Sequence, residues 1–383
     1  MTQVIDRFLA MSLRSVARGE GLPPWPQDWP DDETFQAAVF ARIAFHGVAL
    51  VLLRGASSQA DWPSAISARM RKEAHGQRFW EISHRGLAQR LIAALAAAGA
   101  PAILTKGTAL AYAIYSDPAE RRRGDTDLLL GLAPRKVVRR ALRAAGFDQI
   151  GDRRPLQETW GATCPAGFFH AFDLHWRASA SAVVSQCLER GGVGTRSIAL
   201  PRLSEQARAL CAADNLILIA INRALHLQFG YRSGDDKPFD QDRLIWAMDV
   251  SLLCAAFGPD DWDALVAVAA ATGTSPLVLS TLQFAEATLA AAVPANVKDA
   301  LSGQGGDATL LRCLSTRSSG ERLRLELAAS PGMTAKLRLI SYALLPGTEV
   351  LHERYPEAAH WPLAALQARR LWDGIGRLAG RGA

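Results

Sequence analysis

The strongest constraint on this chain is a pair of aspartates, Asp125 and Asp127, one residue apart at the head of Leu128, Leu129 and Leu130. The leucine run reads as a short buried strand. Residues two apart on a strand project to the same face, so both carboxylates stand side by side at the mouth of an apolar strand. Two like charges held that close repel unless a cation lies between them. Hard divalent ions with oxygen ligands, Mg²⁺ among them, are the usual partner. Upstream, Ile103 and Leu104 begin another strand that runs to Lys106, Gly107 punctuates it, and Thr108 caps a helix over residues 109–115, which Asp117 and Pro118 close. A turn at a helix start presents backbone N–H groups suited to phosphate. Metal carboxylates and a phosphate cradle in one stretch point to nucleotide chemistry.

Residues 168–176, FFHAFDLHW, read as a further strand. An aspartate among aromatic and apolar residues is costly to bury unpaired, which singles out Asp173. His175 shares its face by period two and suits orienting a substrate, binding a phosphate, or a structural hydrogen bond.

Lys106-Gly107-Thr108-Ala109-Leu110, Tyr115-Ser116-Asp117-Pro118, Arg121 and Gly124-Asp125-Thr126-Asp127 with its leucines resemble the signature of the uncharacterised bacterial nucleotidyltransferase family. That family lies within the DNA polymerase β-like nucleotidyltransferase superfamily. Asp173-Leu174-His175-Trp176 is similar to another of its motifs. The chain has Thr108 where the superfamily usually has Ser, and a longer spacer before the aspartates. The likeness spans residues 70–375, with its sharp motifs in 106–175.

The resemblance implies an α+β fold, with a nucleotidyltransferase-like mixed β-sheet core flanked by mostly helical N- and C-terminal regions. It implies Mg²⁺-dependent transfer of a nucleoside monophosphate from a nucleoside triphosphate, ATP first, to a small-molecule or peptide or protein acceptor, in a setting such as natural-product biosynthesis. On it, Asp125 and Asp127 hold two Mg²⁺ ions, and Asp173 holds the ion near the acceptor and helps take its proton. Gly107 and Thr108 contact the β- and γ-phosphates, and Lys106 and Arg121 neutralise the leaving pyrophosphate. A non-catalytic nucleotide-binding or regulatory protein on the same scaffold is the alternative, since a fold does not dictate an activity.

With 383 residues, 49% hydrophobic and 21% charged, the chain suits a globular protein of two or three packed units. The expected divisions are a helical region over 1–90, an α/β core over 91–200 and a helical part over 201–383. The net charge of +6 permits an anionic partner such as a nucleotide, and the absence of interleaved basic and aromatic residues argues against long nucleic acid. Five scattered cysteines without a C-x-x-C pair fit reduced thiols and a cytoplasmic location. No signal-peptide pattern and no membrane-length apolar run is present.

Before the core, Pro and Trp residues between 23 and 30 interrupt helix, a helix follows to about residue 46, residues 48–53 read as strand or buried helix, and residues 65–98 as one or two helices. Residues 134–145 form a helix with Pro134 at its start and Gly146 past its end. Its basic stripe, Arg135, Lys136, Arg139, Arg140 and Arg143, reads as a solvated face. Beyond the core, residues 214–229 and 243–257 are apolar helices carrying Asn222, Arg223, His226 and Asp249. These polar groups form either the second wall of a substrate site or a buried network. The loop 230–242 joins the two helices.

Overall fold

The computed structural model of the protein describes residues 1–55, 61–151, 155–230 and 241–378. The expected loop at 230–242 falls almost wholly outside them.

Three helices, α1 (Thr2–Ala17), α2 (Glu33–His46) and α3 (Ala49–Gly55), open the chain. The carboxylate of Asp32 caps α2 by accepting the Phe35 N–H at 2.8 Å. Gly47, at φ +71°, ends it in the left-handed region that glycine enters at little cost. The ambiguous stretch after it is helical. Val48 through Leu52 are all buried, which suits a helix enclosed on every side. A single helix, α4 (Ser64–Ala97), then leads to the sheet.

The core follows as β1 (Ile103–Thr105), α5 (Lys106–Ala113), β2 (Asp125–Leu129), α6 (Arg135–Ala144), β3 (Asp148–Ile150), β4 (Gln157–Thr163), β5 (Phe169–His175), α7 (Ala182–Arg190), β6 (Ser197–Ala199) and β7 (Arg208–Leu210). The seven strands form one mixed sheet in the order β3-β4-β5-β2-β1-β7-β6. β2 runs parallel to β5 and β1 parallel to β7, while the other neighbours are antiparallel.

Alternation along the strands separates the two faces. Leu104, Leu128, Trp160, Phe172 and Leu174 point to the back, where they pack on Leu87, Leu91 and Leu95 of α4 and Val138 and Leu142 of α6. The basic stripe of α6 is not wholly solvated. Arg135 and Arg139 reach the buried carboxylate of Glu158 on β4, while Lys136, Arg140 and Arg143 are exposed. A buried carboxylate needs such cations beside it, so part of the stripe fastens the helix to the sheet.

The front face is crossed by α8 (Ala212–Phe229), whose residues Ala213 to Ile221 are all buried. α9 (Leu244–Ala256), α10 (Pro259–Thr272) and α11 (Ser275–Leu289) pack around it, in one apolar cluster with α1 to α3. The chain continues through α12 (Ala295–Ser302), α13 (Ala308–Ser315), α14 (Ser319–Ala329), α15 (Gly332–Leu344), α16 (Thr348–Arg354) and α17 (Leu363–Leu378). Glu326 of α14 accepts the Ala182 N–H at 2.6 Å. A carboxylate at the start of α7 meets the unsatisfied amides and positive dipole end of that helix, which ties the C-terminal helices to the core. Among the described residues no single helix is long and apolar enough to cross a membrane.

Candidate active site

Sheet register assembles the site. Thr105 on β1 pairs with Asp127 on β2, Asp127 with Asp173 on β5, and Asp173 with Thr159 on β4. Partners across a ladder share a face, so four strands deliver one row of polar side chains to the front of the sheet. The period-two neighbours Asp125, His175 and Gln157 lie on the same side. All of these, except Thr159, line a cavity of about 380 Å³ under α8, together with Lys106, Asn222 and His226.

Within the cavity the groups are closely coupled. Asp127 Oδ1 accepts from Lys106 Nζ at 2.9 Å and from His175 Nε2 at 2.9 Å. Asp173 accepts from Thr159 Oγ1 and from Gln157 Nε2, each at 2.6 Å. The ligand atoms of Asp127, Asp173 and His175 lie within 4.8 Å of one another. The tightest set therefore has His175 where the sequence pointed to Asp125. Asp125 lies at the open end of the strand, on the wall of the same cavity.

Charge explains how these carboxylates differ. Although Asp125 is open to the cleft, protein atoms crowd it. That desolvation, with the charges of Asp127 and Asp173, pushes its carboxyl up to about 6. Burial raises Asp173 as well, against the hydrogen bond from Thr159. Burial also opposes ionisation of Asp127, but the Lys106 ammonium and the His175 hydrogen bond outweigh it and hold Asp127 below the usual carboxylate range. Lys106 is only partly exposed, and desolvation opposes its charge, yet Asp127, Asp125 and Asp173 raise it above an ordinary lysine.

The donor set fits a divalent cation. Carboxylate oxygens from two adjacent strands are the hard ligands Mg²⁺ takes, and their negative charge exceeds the single ammonium present. His175 Nδ1 is buried without a hydrogen-bond partner.

The turn after β1 is built differently from expectation. Helix α5 starts at Lys106, with Thr105 as its cap residue, so Thr108 is not a cap. Thr108 is buried within the helix, and its hydroxyl bonds to Thr126 and accepts from Arg123 Nε at the back of β2. Its side chain is therefore turned away from the cavity, and only its backbone amide remains for a phosphate role. Lys106 has φ +53°, uncommon for a residue with a Cβ. Its N–H donates to Asn215 Oδ1 at 3.1 Å, and Asn215 is anchored by donating to Leu210 O at 3.0 Å. Local strain of this kind persists where surrounding contacts over-determine it.

Arg121 is held by a buried carboxylate while its guanidinium lies against the turn after β1, 3.7 Å from where a Cβ on Gly107 would stand. Its Nε donates to both oxygens of Asp249, at 2.7 and 2.9 Å, and Tyr115 donates to the same carboxylate at 2.7 Å. Asp249 is buried, which raises it against the pull of Arg121. A buried carboxylate needs a paired cation, so Arg121 and Asp249 lock the loop before β2 to α9, beside Lys106 and Gly107. Arg223 forms a two-pronged pair with Asp242, both contacts at 2.6 Å, and lies over the Phe284 ring. Of the four expected wall residues, Asn222 and His226 line the cavity, while Arg223 and Asp249 do not. His226 stacks on Trp246 at 5.5 Å.

Three contributors escaped sequence reasoning. Gln157 and Thr159 alternate by period two, but their strand, QETWGAT, lacks the apolar pattern that marks one. Asn215 carries no signal beyond being polar at the start of an apolar helix.

A family model described as an uncharacterised nucleotidyltransferase matches residues 33–290, more than half of the chain. It covers every residue of the cavity. No curated protein and no solved structure matches the chain.

Proposed function

From the premise that the chain belongs to the uncharacterised nucleotidyltransferase family, we propose that it is a Mg²⁺-dependent enzyme moving a nucleoside monophosphate from a nucleoside triphosphate, ATP first, to a small-molecule or peptide acceptor. The observation that carries this reading is the register of β2 on β5, which puts Asp127 beside Asp173 in a cavity at the Lys106-Gly107 turn.

Asp127 and Asp173, with Asp125 at the mouth, are the groups that would hold Mg²⁺, and His175 adds a nitrogen beside them. When bound, such ions neutralise the phosphates and favour in-line displacement. Lys106 bonds to Asp127 in the position of a counter-cation, so its ammonium is available to follow negative charge toward a leaving pyrophosphate. The backbone at Gly107 opens helix α5, where amides face an anion. Asp173, held in place by Thr159 and Gln157, is aligned to take a proton from the acceptor. Asn222 and His226 on α8 form the opposite wall and limit water. The scattered cysteines and the absence of interleaved basic and aromatic residues support a cytoplasmic enzyme without long nucleic-acid partners.

The test is a pyrophosphate-release assay with each nucleoside triphosphate, with and without Mg²⁺, alongside thermal melting. We expect a Mg²⁺-dependent melting shift with at least one triphosphate. A protein that melts identically with every triphosphate and Mg²⁺ would overturn the reading. A melting shift without release to any acceptor would favour a non-catalytic nucleotide-binding protein.

A further inference from the structure

The carboxylate cavity does not end at its own walls. Ser179, Ala180, Val184 and Leu225 border it and also border a second cavity of about 490 Å³. This second space is largely apolar, walled by Leu156, Val184, Phe229, Leu314 and Leu339. It is completed by α13, α14 and α15, which lie beyond the residues the family model matches. We propose that it holds the body of the acceptor, an apolar molecule carrying a carboxylate and a hydroxyl. This deepens the nucleotidyl-transfer reading and rests on it.

Position sets which end of the reaction the space serves. The turn at Lys106 and Gly107 follows β1, on one side of the Asp127–Asp173 pair. The second cavity begins at Leu156 and Arg177, which flank β4 and β5, on the other side. With phosphate at the helix start, the attacking oxygen arrives from the β5 side, past Asp173.

Charge sets the class of molecule. Arg177, Arg322 and Arg338 border the cavity, against one carboxylate, Glu326. Glu326 is already engaged by the amides of α7. Arg177 binds Glu189 through Nε and Nη2, yet its Nη1 is buried without a partner, as is Nε of Arg322. Arg322 lies 3.9 Å over the Phe229 ring and donates Nη2 to Thr316 O. Buried guanidinium donors left unpaired call for an anion, and the apolar wall calls for a hydrocarbon body. A carboxylate is the natural mate of a planar guanidinium. In the reaction the hydroxyl oxygen of the acceptor bonds to the α-phosphorus. The bond from that phosphorus to the bridging oxygen breaks, pyrophosphate leaves, and the hydroxyl proton passes by Asp173 to water.

The experiment uses the full chain and three probes: 10-hydroxydecanoate, 1,10-decanediol and 10-amino-1-decanol. Binding is measured by calorimetry, and transfer from MgATP by mass spectrometry of the adduct. The hydroxy acid should bind at least tenfold tighter than the diol, the amine should bind weakest, and only the acid should give appreciable adduct. Ala335→Trp, which fills the cavity, and Arg322→Gln, which removes one donor set, should each weaken acid binding at least tenfold. Both should keep the melting shift with MgATP. Equal affinity for acid and diol, affinity unaffected by both substitutions, or absence of adduct while the MgATP shift is intact would overturn the acceptor assignment alone. Absence of the MgATP shift in the unmodified protein would overturn the nucleotidyl-transfer reading and the acceptor role with it.

Discussion

Strand β2 sends polar side chains to both faces of the sheet, and the two clusters it serves differ in charge balance. At the front, Asp125 and Asp127 join Asp173 around a single ammonium, Lys106. At the back, Thr126 bonds to His84 and Thr108, and Arg123 pairs with Glu81 at 2.6 Å while bonding to His84. The back cluster has one carboxylate for one guanidinium. Burial there, with the nearby Arg123 charge, depresses both His84 and His170, so the imidazoles stay neutral. The back is balanced in charge, although Nδ1 of His170 is buried without a hydrogen-bond partner. The front carries surplus negative charge, which a bound metal cation or proton uptake would relieve. Both clusters are polar and largely buried, so burial alone does not distinguish them, and net charge does.

The largest expected effect breaks the balanced side. Arg123→Met leaves Glu81 buried without its cation, a change that costs about 3–5 kcal/mol. Urea denaturation should show it. A loss below about 1 kcal/mol would mean the pair is not the balanced unit described.

On the front, Asp127→Asn should lower transfer by at least the roughly 100-fold that loss of an outer metal partner costs, read by pyrophosphate release. Because Lys106 and His175 favour the charged form of Asp127, the same substitution should also lower the metal-free melting temperature. Undiminished transfer would remove Asp127 from the reaction.

Asp125→Asn sharpens the contrast within the front cluster. Its charge is opposed by Asp127 and Asp173, so neutralising it should raise the metal-free melting temperature by about 2 °C while weakening the melting response to Mg²⁺. Opposite signs for two aspartates one residue apart are the diagnostic. A drop for both would show that surplus charge does not strain the site.

The smallest effect is a pH dependence of the back cluster. His84 and His170 are depressed in the folded state, His170 to about 4. The unfolded chain therefore binds more protons between about pH 4 and pH 6.5, the ordinary histidine value. The stability these two neutral histidines permit is full above pH 6.5 and declines as pH falls through that window. His170→Gln should reduce the difference between urea midpoints at pH 7.5 and pH 5. An unchanged difference would show that His170 titrates alike in both states.

Much of the front cluster was legible in the chain because strand alternation is local. Asp125 with Asp127, and Asp173 with His175, could be read as face-sharing pairs before any strand was placed. Asn222 and His226 stood out as polar residues in an apolar helix, four apart and so on one side. Thr108 and Arg121 have partners that could not be read from the chain. Each lies in the signature stretch, but Thr108 is turned by the pitch of α5 toward β2 and Arg121 is drawn to a carboxylate far along the chain. Gln157 and Thr159 were missed because β4 is too polar to announce itself.

The sequence by itself determined which residues share a face, that a glycine turn follows β1, and that β2 begins in paired negative charge. These follow from backbone geometry within a few residues. Only the tertiary structure decided which charges meet: Asp127 beside Asp173 by parallel register, Lys106 on Asp127, Arg121 on Asp249, and Asn215 under the Lys106 amide. A charged side chain shows its sign in the sequence but not its partner, because partners are chosen through space, where burial removes water and leaves each charge to the nearest opposite one.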